Sequence, residues 1–105
     1  MIYLLNTPVL TSYGKWEFKG PITVARAGQL LSDGFSSAIG HQGTADFLAN
    51  LLGLEVSLNR VRITMEPGDQ ALVVRLLERM PEGKVYTEQE MLNIPFEFGV
   101  LTRER

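Results

Sequence analysis

The side chains able to do chemistry in this chain are few, and they begin with its one histidine. His41 lies in the run Ser36-Ser37-Ala38-Ile39-Gly40-His41-Gln42-Gly43-Thr44, just ahead of Ala45, Leu48, Ala49, Leu51 and Leu52 at helical spacing, with Gly53 as a stop. That pattern predicts one helix of about ten residues, with His41 at or just before its first turn. A helix start offers unpaired backbone N–H groups and partial positive charge, and glycine lets a ligand approach the backbone closely. An anion could therefore bind beside an imidazole, with Gly40 and Thr44 as candidate contacts. The competing reading is a histidine that serves only as a structural hydrogen-bonding residue.

The other candidates are Arg60, Arg75 and Arg79, the turn carboxylate Glu82, and the polar groups Asn6, Thr7 and Thr11 after the first strand. Serine-triad and zinc chemistries lack parts, because one histidine would have to serve every role. No cysteine is present, which removes thiol catalysis, disulfides and iron–sulfur ligation, and no Walker or dinucleotide fingerprint occurs. What remains suits phosphodiester cleavage without metal. RNA carries its own nucleophile in the 2′-hydroxyl, so an enzyme need only align it, neutralise phosphate charge and protonate the leaving 5′-oxygen.

These residues need a scaffold. With 105 residues, 45% of them apolar and 21% charged, the chain suits one folded domain spanning 1–105. A net charge of -2 argues against nonspecific coating of nucleic acid, so a nucleotide ligand would be held locally by a few arginines. Neither a signal-like leader nor an 18-residue apolar run occurs, so the expected location is cytoplasmic, with no membrane partner.

Tyr3-Leu4-Leu5 predicts a short strand ending at Asn6-Thr7-Pro8. Tyr13 to Pro21 alternates aromatic and charged residues, predicting a half-buried edge strand with Trp16 and Phe18 on one face, as core or dimer contact or as a nucleobase platform. Thr23 caps a helix through Val24, Ala27, Leu30 and Leu31 that ends at Ser32-Asp33-Gly34, and Phe35–Ile39 is a short extended bridge into the histidine loop. Asn59 to Met65 alternates as a strand, Glu66-Pro67-Gly68-Asp69 turns, and Ala71 to Arg79 predicts a central strand buried on both faces, with a helix as its competitor. Arg75 and Arg79 then share a face and need anionic partners, either Glu78 and Glu82 or a ligand. Met80–Lys84 is a turn, Thr87-Glu88-Gln89-Glu90 starts a short helix, Pro95–Leu101 is a last strand, and Thr102–Arg105 is a solvated tail. The order predicts an α/β (α+β) domain, a mixed sheet of about five strands flanked by helices.

Four motifs carry a resemblance. Ile39-Gly40-His41, Gly53-Leu54-Glu55-Val56 followed by Asn59-Arg60-Val61, Met65-Glu66-Pro67-Gly68-Asp69, and Arg79-Met80-Pro81-Glu82-Gly83-Lys84-Val85 resemble the viral type III anti-CRISPR ring nucleases, a family with stand-alone and fused prokaryotic members. The resemblance implies a homodimer, without cofactor, that binds cyclic tetra-adenylate and cuts it to linear di-adenylates, switching off type III CRISPR signalling. It implies His41 as general acid, Arg79 and Glu82 at the phosphate, Arg60 in the pocket, and Asn6 and Thr11 as ligand contacts. The chain departs from relatives at Gly43, where some have serine, and at Arg75, where some have a neutral amide. A twofold cyclic tetranucleotide matches a twofold dimer, which would place two His41 residues at opposite phosphates. The rivals are a non-catalytic cyclic-nucleotide or nucleic-acid binding protein, a sponge or regulator, and a purely structural protein with an Arg79–Glu82 ion pair.

Overall fold

Four consecutive apolar residues, Ala71, Leu72, Val73 and Val74, are fully buried, which requires a strand with cover on both faces. They lie in β4 (Gln70–Leu76) in a computed structural model that describes residues 1–77 and 95–105. Around it are β1 (Ile2–Leu5), β2 (Trp16–Ile22), α1 (Val24–Leu31), β3 (Ser36–Ser37), α2 (Gln42–Leu52) and β5 (Phe96–Arg103). The five strands order as β2-β5-β4-β1-β3. β1 pairs in parallel with β3 and β4, whereas β5 runs antiparallel to β4 and β2, so the sheet is mixed and the fold is α+β among the described residues.

Alternation along β4 divides the core. Leu72 and Val74, with Leu4 and Phe98, face the helices and meet Ala27, Leu31, Ala45 and Leu48. Ala71 and Val73, with Leu5 and Leu101, face the other way and are covered by Met65 and, partly, Ile63 and Trp16. The cover over this second face differs from the expected strand over Asn59–Met65. Burial alternates only over its last residues, since Ile63 and Met65 pack inward while Arg62 and Thr64 are exposed; Val61 is exposed like Arg60, and the backbone joins no ladder. Val61 N–H closes a tight turn onto the Asn59 carbonyl at 3.0 Å, and Met65 N–H is taken by the Thr11 hydroxyl at 2.9 Å. Side-chain burial alone produced the period of two.

Both helices carry the expected signals. Thr23 accepts from Arg26 N–H at 3.1 Å to start α1, and Gly53 ends α2 in the left-handed region at φ 67°, where a side chain would be strained. The turn at Glu66–Asp69 closes through Asp69 N–H to the Glu66 carbonyl and Glu66 N–H to the Asp69 carboxylate.

Two expectations are corrected in β5 and β4. Thr102 and Arg103 belong to β5 rather than to a solvated tail. Arg103 donates to the carbonyls of Met65 (2.5 Å) and Tyr13 (3.3 Å) and lies 5.8 Å from the Trp16 ring centroid, so that ring packs against a guanidinium. Arg75 is exposed rather than buried, and its anionic partner is Glu97, directly opposite on β5, at 2.5 Å. The expected turn at Met80–Lys84, the helix from Thr87, and Glu78, Arg79 and Glu82 lie outside the described residues. Among the described residues no helix is long and apolar enough to cross a membrane.

Candidate functional site

Parallel pairing of β1 with β3 brings their carboxyl ends together, the usual location of ligand crevices in such sheets. Asn6 leaves β1 there, and Ala38-Ile39-Gly40 leaves β3 and delivers His41 to α2. Ala38 N–H donates to the Leu4 carbonyl at 3.0 Å, holding the two exits side by side.

His41 is the N-cap of α2. Its backbone is extended (φ -131°, ψ 122°), and its ring Nδ1 accepts from Thr44 N–H at 3.3 Å, filling the role a serine or aspartate usually takes. In the neutral ring that bond puts the proton on Nε2. Thr44 is 2% exposed, and its hydroxyl oxygen lies 3.5 Å from the same Nδ1. Thr44 therefore touches the histidine from inside the fold rather than lining the open cavity.

The segment after α2 is tied onto the β3 exit. Ser37 Oγ donates to the Ser57 carbonyl at 2.7 Å, Asn59 Nδ2 donates to the Ser37 carbonyl at 2.8 Å, and Asn59 N–H donates to the Ile39 carbonyl at 2.8 Å. These bonds lay the Arg60 stem against Gly40, where an added Cβ would come within 3.0 Å of Arg60 Cγ. Glycine at 40 is thus needed for the arginine's close approach. Among the described residues Arg60 has no carboxylate partner.

The result is an open cavity of about 350 Å³ lined by Asn6, Ala38, Gly40, His41, Arg60 and Val61. It adjoins a second of about 370 Å³ that shares Asn6 and Arg60 and adds Thr7, Thr11 and Arg62. Together they offer an imidazole, guanidinium groups, an amide and hydroxyls around apolar walls, a set able to bind and protonate a phosphodiester. A larger concavity among the described residues, about 540 Å³, lies elsewhere, against α1; its lining mixes Glu17 and Asp33 with Lys19 and Arg26 and contains no histidine. Balanced charge and the absence of a histidine from its lining make it the weaker candidate for such chemistry.

Of the sequence-predicted residues, Asn6, Gly40, His41, Arg60 and Thr11 converge here, although the Thr11 hydroxyl is also a structural acceptor. Arg75 does not; it lines a separate small cleft with Glu97 and Pro21. Arg79 and Glu82 are outside the described residues. Ser37 and Asn59, which position the loop carrying Arg60, had only one signal in the sequence: polar side chains in segments otherwise readable as strands.

Residues 2–98 match the sequence model of a family described as STIV B116-like. Uncharacterized protein 26 of Sulfolobus islandicus filamentous virus is 35% identical, over 99% of this chain and 95% of its own length. Uncharacterized protein YddF of Bacillus subtilis is also 35% identical, over 97% of this chain and 96% of its own. Among solved structures, B116 of Sulfolobus turreted icosahedral virus superposes with a TM-score of 0.76 over 97% of this chain and 98% of that one, at 22% sequence identity, a likeness of fold.

Proposed function

The chain belongs to the STIV B116-like family, and on that footing we propose that it is a metal-independent ring nuclease that cleaves cyclic tetra-adenylate to linear di-adenylates. The observation that carries the reading is the meeting of His41, Arg60 and Asn6 around one open cavity at the joined carboxyl ends of β1 and β3. The resemblance in the four motifs supplies the substrate.

In the proposed reaction a ribose 2′-hydroxyl gives up its proton to water and attacks the adjacent phosphorus, the P–O5′ bond breaks, and the ring opens to leave a 2′,3′-cyclic phosphate; a second such cleavage at the opposite phosphate yields two linear di-adenylates. His41 gives its Nε2 proton to the departing 5′-oxygen. Arg60 offsets phosphate charge, and Asn6 orients the sugar-phosphate from the β1 side. Arg79 and Glu82 enter through the resemblance, as a second phosphate ligand and its neighbouring carboxylate. β4 extends three residues past Val73, the partner of Leu5, so the chain leaves β4 toward this same end of the sheet; Leu77 N–H then bonds the Pro95 carbonyl at 2.8 Å where it returns. A twofold dimer would set two such sites at opposite phosphates of the ring.

His41's role as a helix cap favours a second reading, a binding module in which the imidazole serves structure alone. Incubation with cyclic tetra-adenylate in EDTA, read by mass, separates them. Linear di-adenylates from the wild type, and a loss of roughly 10² to 10⁴-fold in their formation by His41→Asn with ligand still bound, is the expected result. An intact ring bound by the wild type would establish the module instead.

A further inference from the structure

Thr44 presents two opposite hydrogen-bonding groups to one ring nitrogen. Its backbone N–H points at His41 Nδ1 from 3.3 Å, and its hydroxyl oxygen lies 3.5 Å from the same atom. An N–H donor suits Nδ1 only while that nitrogen carries a lone pair, and a hydroxyl oxygen suits it only when it carries a proton. Resting on the proposed general-acid role, we propose that Thr44 is a positioning residue that holds His41 in both protonation states, its amide gripping the neutral ring and its hydroxyl gripping the proton-loaded one.

Proton accounting requires such a partner. The neutral capped ring has its proton on Nε2, and donating that proton would leave an imidazolate. A workable acid is the imidazolium, which gives up the Nε2 proton and keeps the one on Nδ1. Nδ1–H must then have an acceptor before and after transfer, because facing the Thr44 amide it would set one donor against another. A small rotation of the ring moves Nδ1 from the amide to the hydroxyl. The groups that face the ring among the described residues are the amide end of α2, the Arg60 guanidinium across the shared cavity, and the neutral Asn6 side chain. None of these is a carboxylate, and Thr44 as a residue is only 2% exposed, which shields its hydroxyl from competing water.

The protein's single histidine makes the test direct, since ¹⁵N-edited NMR of the ligand-free chain reports one imidazole. In the wild type the neutral ring should be the Nε2–H tautomer. Thr44→Val, isosteric but without the hydroxyl, should leave Nδ1–H of the protonated ring without its acceptor, so that this proton exchanges with water several-fold faster than in wild type, and Thr44→Ser should restore the slow exchange. Cleavage of cyclic tetra-adenylate by Thr44→Val should lose several-fold in kcat with KM nearly unchanged. A wild-type neutral ring in the Nδ1–H tautomer would overturn the proposal without any variant, as would Nδ1–H exchange identical in wild type and Thr44→Val. Should the NMR behave as stated while no substrate is cut, the nuclease reading fails and the two-state grip on His41 stands.

Discussion

Replacing His41 by alanine and by asparagine separates what the ring does for the fold from what it does for the ligand. Alanine removes both the cap and the imidazole. The Thr44 amide that Nδ1 satisfies belongs to a residue only 2% exposed, so water reaches it poorly once the acceptor is gone. Loss of an N-cap costs typically about 1 kcal/mol, which in a domain of this length lowers the melting temperature by roughly 4–8 °C. Asparagine is among the best caps and places an oxygen near the same amide, so His41→Asn should melt within about 2 °C of wild type. It cannot protonate a leaving oxygen, so turnover of cyclic tetra-adenylate should drop by roughly 10² to 10⁴-fold in both variants. The assays are calorimetric melting and single-turnover product formation at fixed pH. Equal melting temperatures for the alanine and asparagine variants would refute the cap, and wild-type turnover in His41→Asn would refute the acid.

Three further outcomes follow from contacts elsewhere. Gly40→Ala should weaken ligand binding about five-fold with melting almost unchanged, because the new methyl meets the flexible Arg60 stem at 3.0 Å while the backbone there needs no positive φ; calorimetric titration with cyclic tetra-adenylate checks it. Arg103→Lys should destabilise the fold by about 1–3 kcal/mol in urea unfolding, since an ammonium cannot reach the Met65 and Tyr13 carbonyls together while lying over Trp16. A double-mutant cycle on Arg75 and Glu97 should give a coupling of only about 0–1 kcal/mol, because both side chains are substantially exposed at 45% and 31%.

The sequence made the scaffold legible wherever local chemistry and burial agreed. Thr23, Gly53 and the Glu66–Asp69 turn carry their own hydrogen-bond partners within a few residues, so their roles are local and readable. The unbroken apolar run in β4 marked its central place for the same reason. Reading failed where partners are distant in sequence. Asn59–Met65 has a strand's alternation, yet its bonds go to Thr11 and to Ile39, and only the tertiary arrangement reveals that they replace a ladder. Arg75 looked buried because its neighbours are, but β4 is longer than the cover over its second face, and the last residues of that face meet solvent and Glu97. At the site, the glycine-flanked histidine showed its place at a helix start. The amide and hydroxyl of Thr44 on one nitrogen did not, because they depend on side-chain geometry rather than on spacing.

Topology also decides which residues can act together. Parallel strands β1, β3 and β4 all point their carboxyl ends the same way, so the exits at Asn6, at Ala38–His41 and beyond Leu76 share one end of the sheet. The antiparallel pair β4–β5 sends the chain back from that end at Phe96, opposite Leu76. A ligand at His41 therefore meets the exits of β1 and β3, and the tie from Asn59 to Ser37 and Ile39 adds Arg60 from a third segment. Such a site should be sensitive to that tie. Asn59→Ala removes the side-chain bond to Ser37 but leaves the backbone bond to Ile39, so Arg60 should lose its seat while α2 and its cap persist. Ligand affinity should fall by about five-fold and His41 tautomer signals should stay as in wild type. If affinity and the His41 signals changed together, the Arg60 segment and the histidine cap would be one cooperative unit, contrary to the independence argued from their separate hydrogen bonds.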